Sequence, residues 1–147
     1  MQNKNNKRAL VDRRLIYISD PSSIARQYLP ENVEENHLRD WVDDLSEVAV
    51  DTFIQEVYTQ GWTTYWKTPL FEYDARPQHK RFLPLIDSGV QPLDVLIDQS
   101  HKRGMEFLAG MRVNDNHGHV SVSQGVGSGS SFISNHPQWL LNETRPD

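Results

Sequence analysis

The stretch KRGMEFLAGMRVNDNH, residues 102–117, decides how the chain is read. Lys102, Arg103 and Gly104 form a helix end, since basic side chains bond to the last carbonyls and glycine takes the turn that stops a helix. Met105 to Val113 then reads as a strand, with Phe107, Leu108 and Met111 apolar and Gly110 letting another backbone approach closely. A polar loop follows, through Asn114, Asp115, Asn116, His117, Gly118 and His119. Helix, strand and polar loop in that order form one step of a β/α repeat.

Earlier in the chain the same step recurs. Leu15, Ile16, Tyr17 and Ile18 form a continuous apolar run within Arg14 to Asp20, as expected of a strand buried on both faces and ended by Pro21. After a polar connection, Asn32 is placed to cap a helix, with Glu35 reaching back to it. Leu38, Trp41, Val42, Leu45 and Val48 recur at helical spacing, while Glu34, Arg39, Asp40, Asp43, Asp44 and Glu47 take the other, solvated face. Val50 to Val57 is rich in β-branched and aromatic residues and reads as the second strand. Strand, helix, strand implies a right-handed crossover between parallel neighbours.

Tyr58 to Val90 has no clear period, yet Trp62, Tyr65, Trp66, Phe71, Tyr73 and Phe82 make it too aromatic for a linker. Long loops of this kind are often functional. Pro92 then opens a helix whose inward stripe is Leu93, Leu96, Ile97 and Ser100. Beyond the polar loop lies a glycine and serine tract, Ser123 to Ser131, and Pro137, Trp139, Leu140 and Leu141 begin another helix. The expected organisation is a polar tail over residues 1–13 and an α/β domain over 14–147, with about three βα units and parallel strands.

Composition excludes several classes. The net charge is −5 and basic residues are scattered apart from Lys4, Lys7, Arg8, Arg13 and Arg14, so no broad field attracts nucleic acid. Without cysteine there is no disulfide framework, no thiolate metal site and no thiol catalysis. The apolar run Leu15 to Ile18 is too short for a signal core or a membrane span. No membrane partner is expected and the default is cytoplasmic; a start upstream would reverse that, with Asn142, Glu143 and Thr144 then a glycosylation triplet.

Three βα steps fit an eight-stranded barrel or an open doubly wound sheet, and both gather chemistry at the carboxyl ends of the strands. The first βα junction, Ser19, Asp20, Pro21 and Ser22, lacks a glycine-rich phosphate fingerprint. Gly125, Gly127 and Gly129 are followed by no lysine, so they form no phosphate cradle. The strand ends carry Asp20, then Glu56, then Arg112, Asn114 and Asp115.

Lys102 to Met105 and the run Met111 to His117 resemble the second helix, third strand and following loop of glycoside hydrolase family 10-like barrel proteins. His101, the pair His136 and Pro137 with Trp139, and Asp20 after the first strand are similar to that family as well. The resemblance implies a partial (β/α)8 TIM barrel, its N-terminal portion, and a polysaccharide or glycoconjugate substrate. An eight-fold barrel takes about 250 residues, so a chain of 147 holds only part of one. In related glycosidase barrels the acid/base and nucleophile sit at later strand ends, so the resemblance assigns this chain substrate contacts and leaves the catalytic residues unassigned.

Glycoside hydrolysis uses two carboxyl groups about 5 to 9.5 Å apart, and Asp20, Glu56 and Asp115 are the available carboxylates. Arg112, Asn114, Asp115 and His117 suit a sugar subsite, since guanidinium, amide and carboxylate bond hydroxyls in pairs; an Arg112–Asp115 ion pair that fixes the loop is the plainer alternative. Trp62, Tyr65 and Trp66 either stack on pyranose faces or cap a satellite hydrophobic cluster. No cofactor is expected. A metal-dependent hydrolase using Asp115, His117 and His119 is one alternative function. Another is a noncatalytic module whose open sheet edges bind a partner supplying the rest of the barrel.

Overall fold

The computed structural model describes residues 15–59 and 62–112 together with Ser130, Ser131, Asn135, His136 and Gln138. Three parallel strands, β1 (Ile16–Ser19), β2 (Thr52–Glu56) and β3 (Glu106–Gly110), lie in the order β1-β2-β3. Ile16 pairs with Thr52 and Thr52 with Glu106, so the strands run level and all three end at one edge. The α/β fold with parallel strands, as in the opening of a βα barrel, is thereby observed.

Between the strands lie α1 (Pro21–Gln27), α2 (Glu35–Glu47), α3 (Pro77–Lys80), α4 (Leu83–Asp87) and α5 (Pro92–Lys102). Pro21 does not simply end β1: it is the first residue of α1, and Asp20 is the cap, its Oδ1 accepting the Ser22 N–H at 2.7 Å. Proline suits that position because its fixed φ is helical and the missing N–H has no partner there anyway. The cap of α2 is Glu34 rather than Asn32, and its N–H donates to His37 Nδ1 at 3.0 Å. Among the described residues no helix is long and apolar enough to cross a membrane.

One face of the sheet is covered. Phe53 is fully buried at its centre, with ring centroids 5.2 Å from Trp41 on α2, 5.4 Å from Phe107 and 6.2 Å from Tyr17. Leu38, Val42 and Leu45 extend this core along α2 as the helical period predicts, but Val48 is 65% exposed, one turn too far. On α5 the buried stripe is Pro92, Val95, Leu96, Gln99 and Ser100, so Leu93 and Ile97 are only half-buried. The rotation follows from polar pairing across the two helices. Arg39 donates to Asp98 and Gln99, Gln99 donates to Asp43 at 2.5 Å, and Arg103 bonds Asp43. The face of α2 expected to be wholly solvated is thus partly a seam with α5.

Ile16 and Ile18 contradict the expectation of a strand buried on both faces, being 49% and 64% exposed. By register they share a face with Thr52, Ile54 and Leu108, on which Leu108 is 39% exposed while Thr52 is buried. Gly110 behaves as expected: a Cβ there would stand 3.2 Å from Ile54 Cγ2 and 3.4 Å from the Gln55 carbonyl oxygen.

Candidate functional site

Level, parallel strands carry their last residues to one edge, and three side chains meet there. Arg112, two residues beyond β3, donates from Nε to Glu56 Oε1 at 2.9 Å. Its Nη2 lies 3.4 Å from Oδ2 of Asp20, the oxygen that α1 leaves unused. One guanidinium therefore ties the ends of β1, β2 and β3 together. The Arg112 side chain is 40% exposed and Glu56 only 14%, so the group faces outward over a half-buried carboxylate. Arg112 is thus bonded to carboxylates at the ends of the two neighbouring strands, while Asp115, the partner expected within its own loop, lies outside the described residues.

The long loop after β2 builds a wall beside this group. Thr59 and Thr63 close a turn, N–H to carbonyl at 2.8 Å and hydroxyl to hydroxyl at 2.5 Å, and Thr64 bridges to Tyr73. Trp62 sits on that turn at φ 60° and is 40% exposed. A left-handed backbone is uncommon for a bulky residue and costs on the order of 1 kcal/mol or more, so the surrounding turn enforces it. Tyr58 and Phe71 pack edge to face at 4.8 Å. With Trp62, Met111 and Arg112 they enclose a hollow of about 280 Å³ next to the strand ends. A second hollow of about 400 Å³ shares Trp62 and Phe71 and continues to Glu72, Ser130 and His136.

The other two candidate aromatics face inward. Tyr65 is 1% exposed and packs on Phe82 and His79, so its ring has no surface open to a ligand, and burial pushes its phenol well up. Trp66 is half-buried against the core and its Nε1 donates to the Val57 carbonyl at 2.8 Å. Tyr65 is part of the main hydrophobic core and Trp66 packs against it, so neither belongs to a separate satellite cluster.

Beneath the loop lies a buried polar network that the sequence did not announce. Asp74 and His79 are fully buried; Arg76 donates to both Asp74 oxygens, and Ser22 Oγ lies 3.0 Å from His79 Nε2. Burial alone would raise the Asp74 carboxyl, but Arg76, His79 and Thr59 outweigh it and hold it below the usual carboxylate range. Burial lowers the His79 imidazole to about 4, Asp74 opposing and Arg76 reinforcing the shift. Serine, histidine and aspartate together suggest a nucleophile triad. The geometry rejects it: Ser22 and Asp74 both approach Nε2, at 3.0 and 3.6 Å, whereas a triad needs the carboxylate on Nδ1. Nδ1 itself has no partner among the described residues. The network is a clasp: through Ser22 it joins the loop to the first turn of α1, next to Asp20.

Asn114, Asp115, His117 and His119 lie outside the described residues, as does the helix expected from Pro137. Among the described residues no group of three metal-ligating side chains comes together. The profile of a family described as glycosyl hydrolase-like 10 matches residues 13–147. The chain belongs to that family. No match was found among curated proteins. As a glycosyl hydrolase-like 10 chain it places Asp20, Glu56 and Arg112 on the strand-end face, where βα barrels carry their chemistry.

Proposed function

We propose that this chain supplies part of the carbohydrate-binding mouth of a glycoside hydrolase, acting on a polysaccharide or glycoconjugate. The observation that carries the reading is the joint bonding of Arg112 to Glu56 and Asp20 at the ends of three adjacent strands. A guanidinium has five N–H donors in a rigid fork, a geometry that suits paired hydroxyls. Two carboxylates against one guanidinium leave this group net negative, which favours neutral sugars over acidic ones. Carboxylates bonded to a guanidinium suit a positioning and hydroxyl-binding role better than that of a general acid, so neither Asp20 nor Glu56 is assigned to proton transfer. Asn114, Asp115 and His117 follow Arg112 directly and are proposed to join the same subsite, and Trp62 to stack on a ring face.

Calorimetric titration with neutral oligosaccharides tests the proposal, comparing the native chain with Arg112→Ala and Asn114→Ala. Each substitution removes at least one charge-assisted or neutral hydrogen bond, and affinity is expected to fall about 5- to 30-fold. Unchanged affinity in both variants would remove the carbohydrate reading.

A further inference from the structure

The two hollows at the strand mouth meet at Trp62 and Phe71, which line both. The first hollow has Arg112 on its rim and apolar rings on its walls. The second repeats that combination with different groups, apolar Leu70 and Phe71 facing Glu72, Ser130 and His136. Ser130 is 3% exposed, and its Oγ has no partner among the described residues although it lines the hollow. A buried hydroxyl left without a partner costs about 1 to 3 kcal/mol, a penalty that a hydroxyl-bearing ligand in the hollow would remove. Glu72 receives the Ser131 N–H at 3.0 Å and the Ser131 hydroxyl, which fixes the polar wall against the aromatic loop.

We infer that the second hollow is a further sugar subsite, so that the chain binds a neutral oligosaccharide of at least two units laid across the Trp62 and Phe71 ridge. The inference rests on the reading of the strand mouth as a carbohydrate site and adds the length of the ligand. Pyranose rings are amphipathic, with hydroxyls at the rim and C–H groups on the faces; each hollow offers an aromatic surface beside polar groups, as such a ring requires. The strained backbone of Trp62 has the same explanation. A turn closed by Thr59 and Thr63 holds a large ring at φ 60° on the crest between the hollows, where it serves two rings at once. A smaller residue would relieve the backbone and lose the crest.

The test is calorimetry of the native chain against gluco-, xylo-, manno-, galacto- and N-acetylglucosamine series from one to four units. At least one series is expected to gain about tenfold or more in affinity from one unit to two, the second subsite adding about 1.4 kcal/mol. Ser130→Ala should cost the two-unit ligand about fivefold, one hydrogen bond. Trp62→Asn, which tolerates a left-handed backbone better, should keep the fold by circular dichroism and abolish the gain with length. If a series binds and Arg112→Ala weakens it, but one unit binds as tightly as two or neither Ser130→Ala nor Trp62→Asn alters the length dependence, the second subsite is overturned while the mouth reading stands. If no series binds, the mouth reading fails and this inference fails with it.

Discussion

Arg112 Nε stands 2.9 Å from Glu56 Oε1, joining two residues that are 56 positions apart in the sequence and adjacent at the ends of β3 and β2. Exposed ion pairs contribute about 0.2 to 1 kcal/mol, and the partial burial of Glu56 places this one at the upper end. A double-mutant cycle with Arg112→Ala and Glu56→Gln, followed by urea denaturation, should give a coupling of about 1 kcal/mol at low salt. The coupling should shrink at 1 M salt, where screening is strong. Additive effects at low salt would show that the pair contributes nothing to the fold.

Ala49 is misplaced by its own backbone. Helices α2, α4 and α5 end alike, each with paired bonds back to the last turn: Val50 N–H to Leu45 and Ala49 to Ser46, Val90 to Leu85 and Gly89 to Ile86, Met105 to Ser100 and Gly104 to His101. The left-handed residue is Gly89 at φ 93° and Gly104 at φ 73°, but Ala49 at φ 62°. Ala49→Gly should therefore stabilise the chain by about 0.5 to 1 kcal/mol, strain relief outweighing the added freedom of the unfolded state. Gly89→Ala and Gly104→Ala should each cost about 1 kcal/mol from backbone strain alone, since a Cβ at either meets nothing within 4 Å. Thermal midpoints moving in the same direction for all three would contradict this.

The sequence carried the strands and the face on which they end, because buried parallel strands are runs of apolar, β-branched residues and their ends are fixed by direction. It did not carry which sheet face is covered, as Ile16 and Ile18 are apolar whether or not anything packs on them. Helix α1 was hidden because Pro21 reads as a stop until Asp20 is recognised as its cap. The stripe on α5 differs from its hydrophobic period because Gln99 is buried by bonding to Arg39 and Asp43, a polar reason that the period cannot register. In the long loop, aromatic content alone does not separate the buried Tyr65 from the exposed Trp62. The clasp of Ser22 and His79 joins residues 57 apart, and only the acid–base run Asp74 to His79 among aromatics hints at it.

Phe53 is the residue on which the covered face of the sheet depends. It is fully buried and touches rings from β1, α2 and β3, so its removal leaves a cavity that three elements must share. Phe53→Ala should cost about 3 to 5 kcal/mol, and Phe53→Leu distinctly less, because the branched side chain refills most of the volume. Equal urea midpoints for the two variants would mean that the site collapses freely and that the ring cluster is not what orders the sheet.

His79 gives the fold a pH dependence whose sign can be stated. In the unfolded chain the imidazole titrates near 6.5, while in the folded chain burial pushes it down to about 4. Between these values the unfolded state binds a proton that the folded state does not, so stability falls as pH decreases through that window and levels off beneath it. The loss is about 2 kcal/mol at pH 5 and about 3 kcal/mol in full, taking about 1.4 kcal/mol for each unit of difference. Asp74, held low by Arg76, adds its own loss only at more acid pH, as its carboxylate is protonated. Urea midpoints of the native chain should therefore drop between pH 7 and pH 4.5, and those of His79→Asn should stay nearly flat over the same interval. The same slope in both proteins would assign the effect to other groups, and would mean that His79 tolerates a proton in its clasp with Ser22.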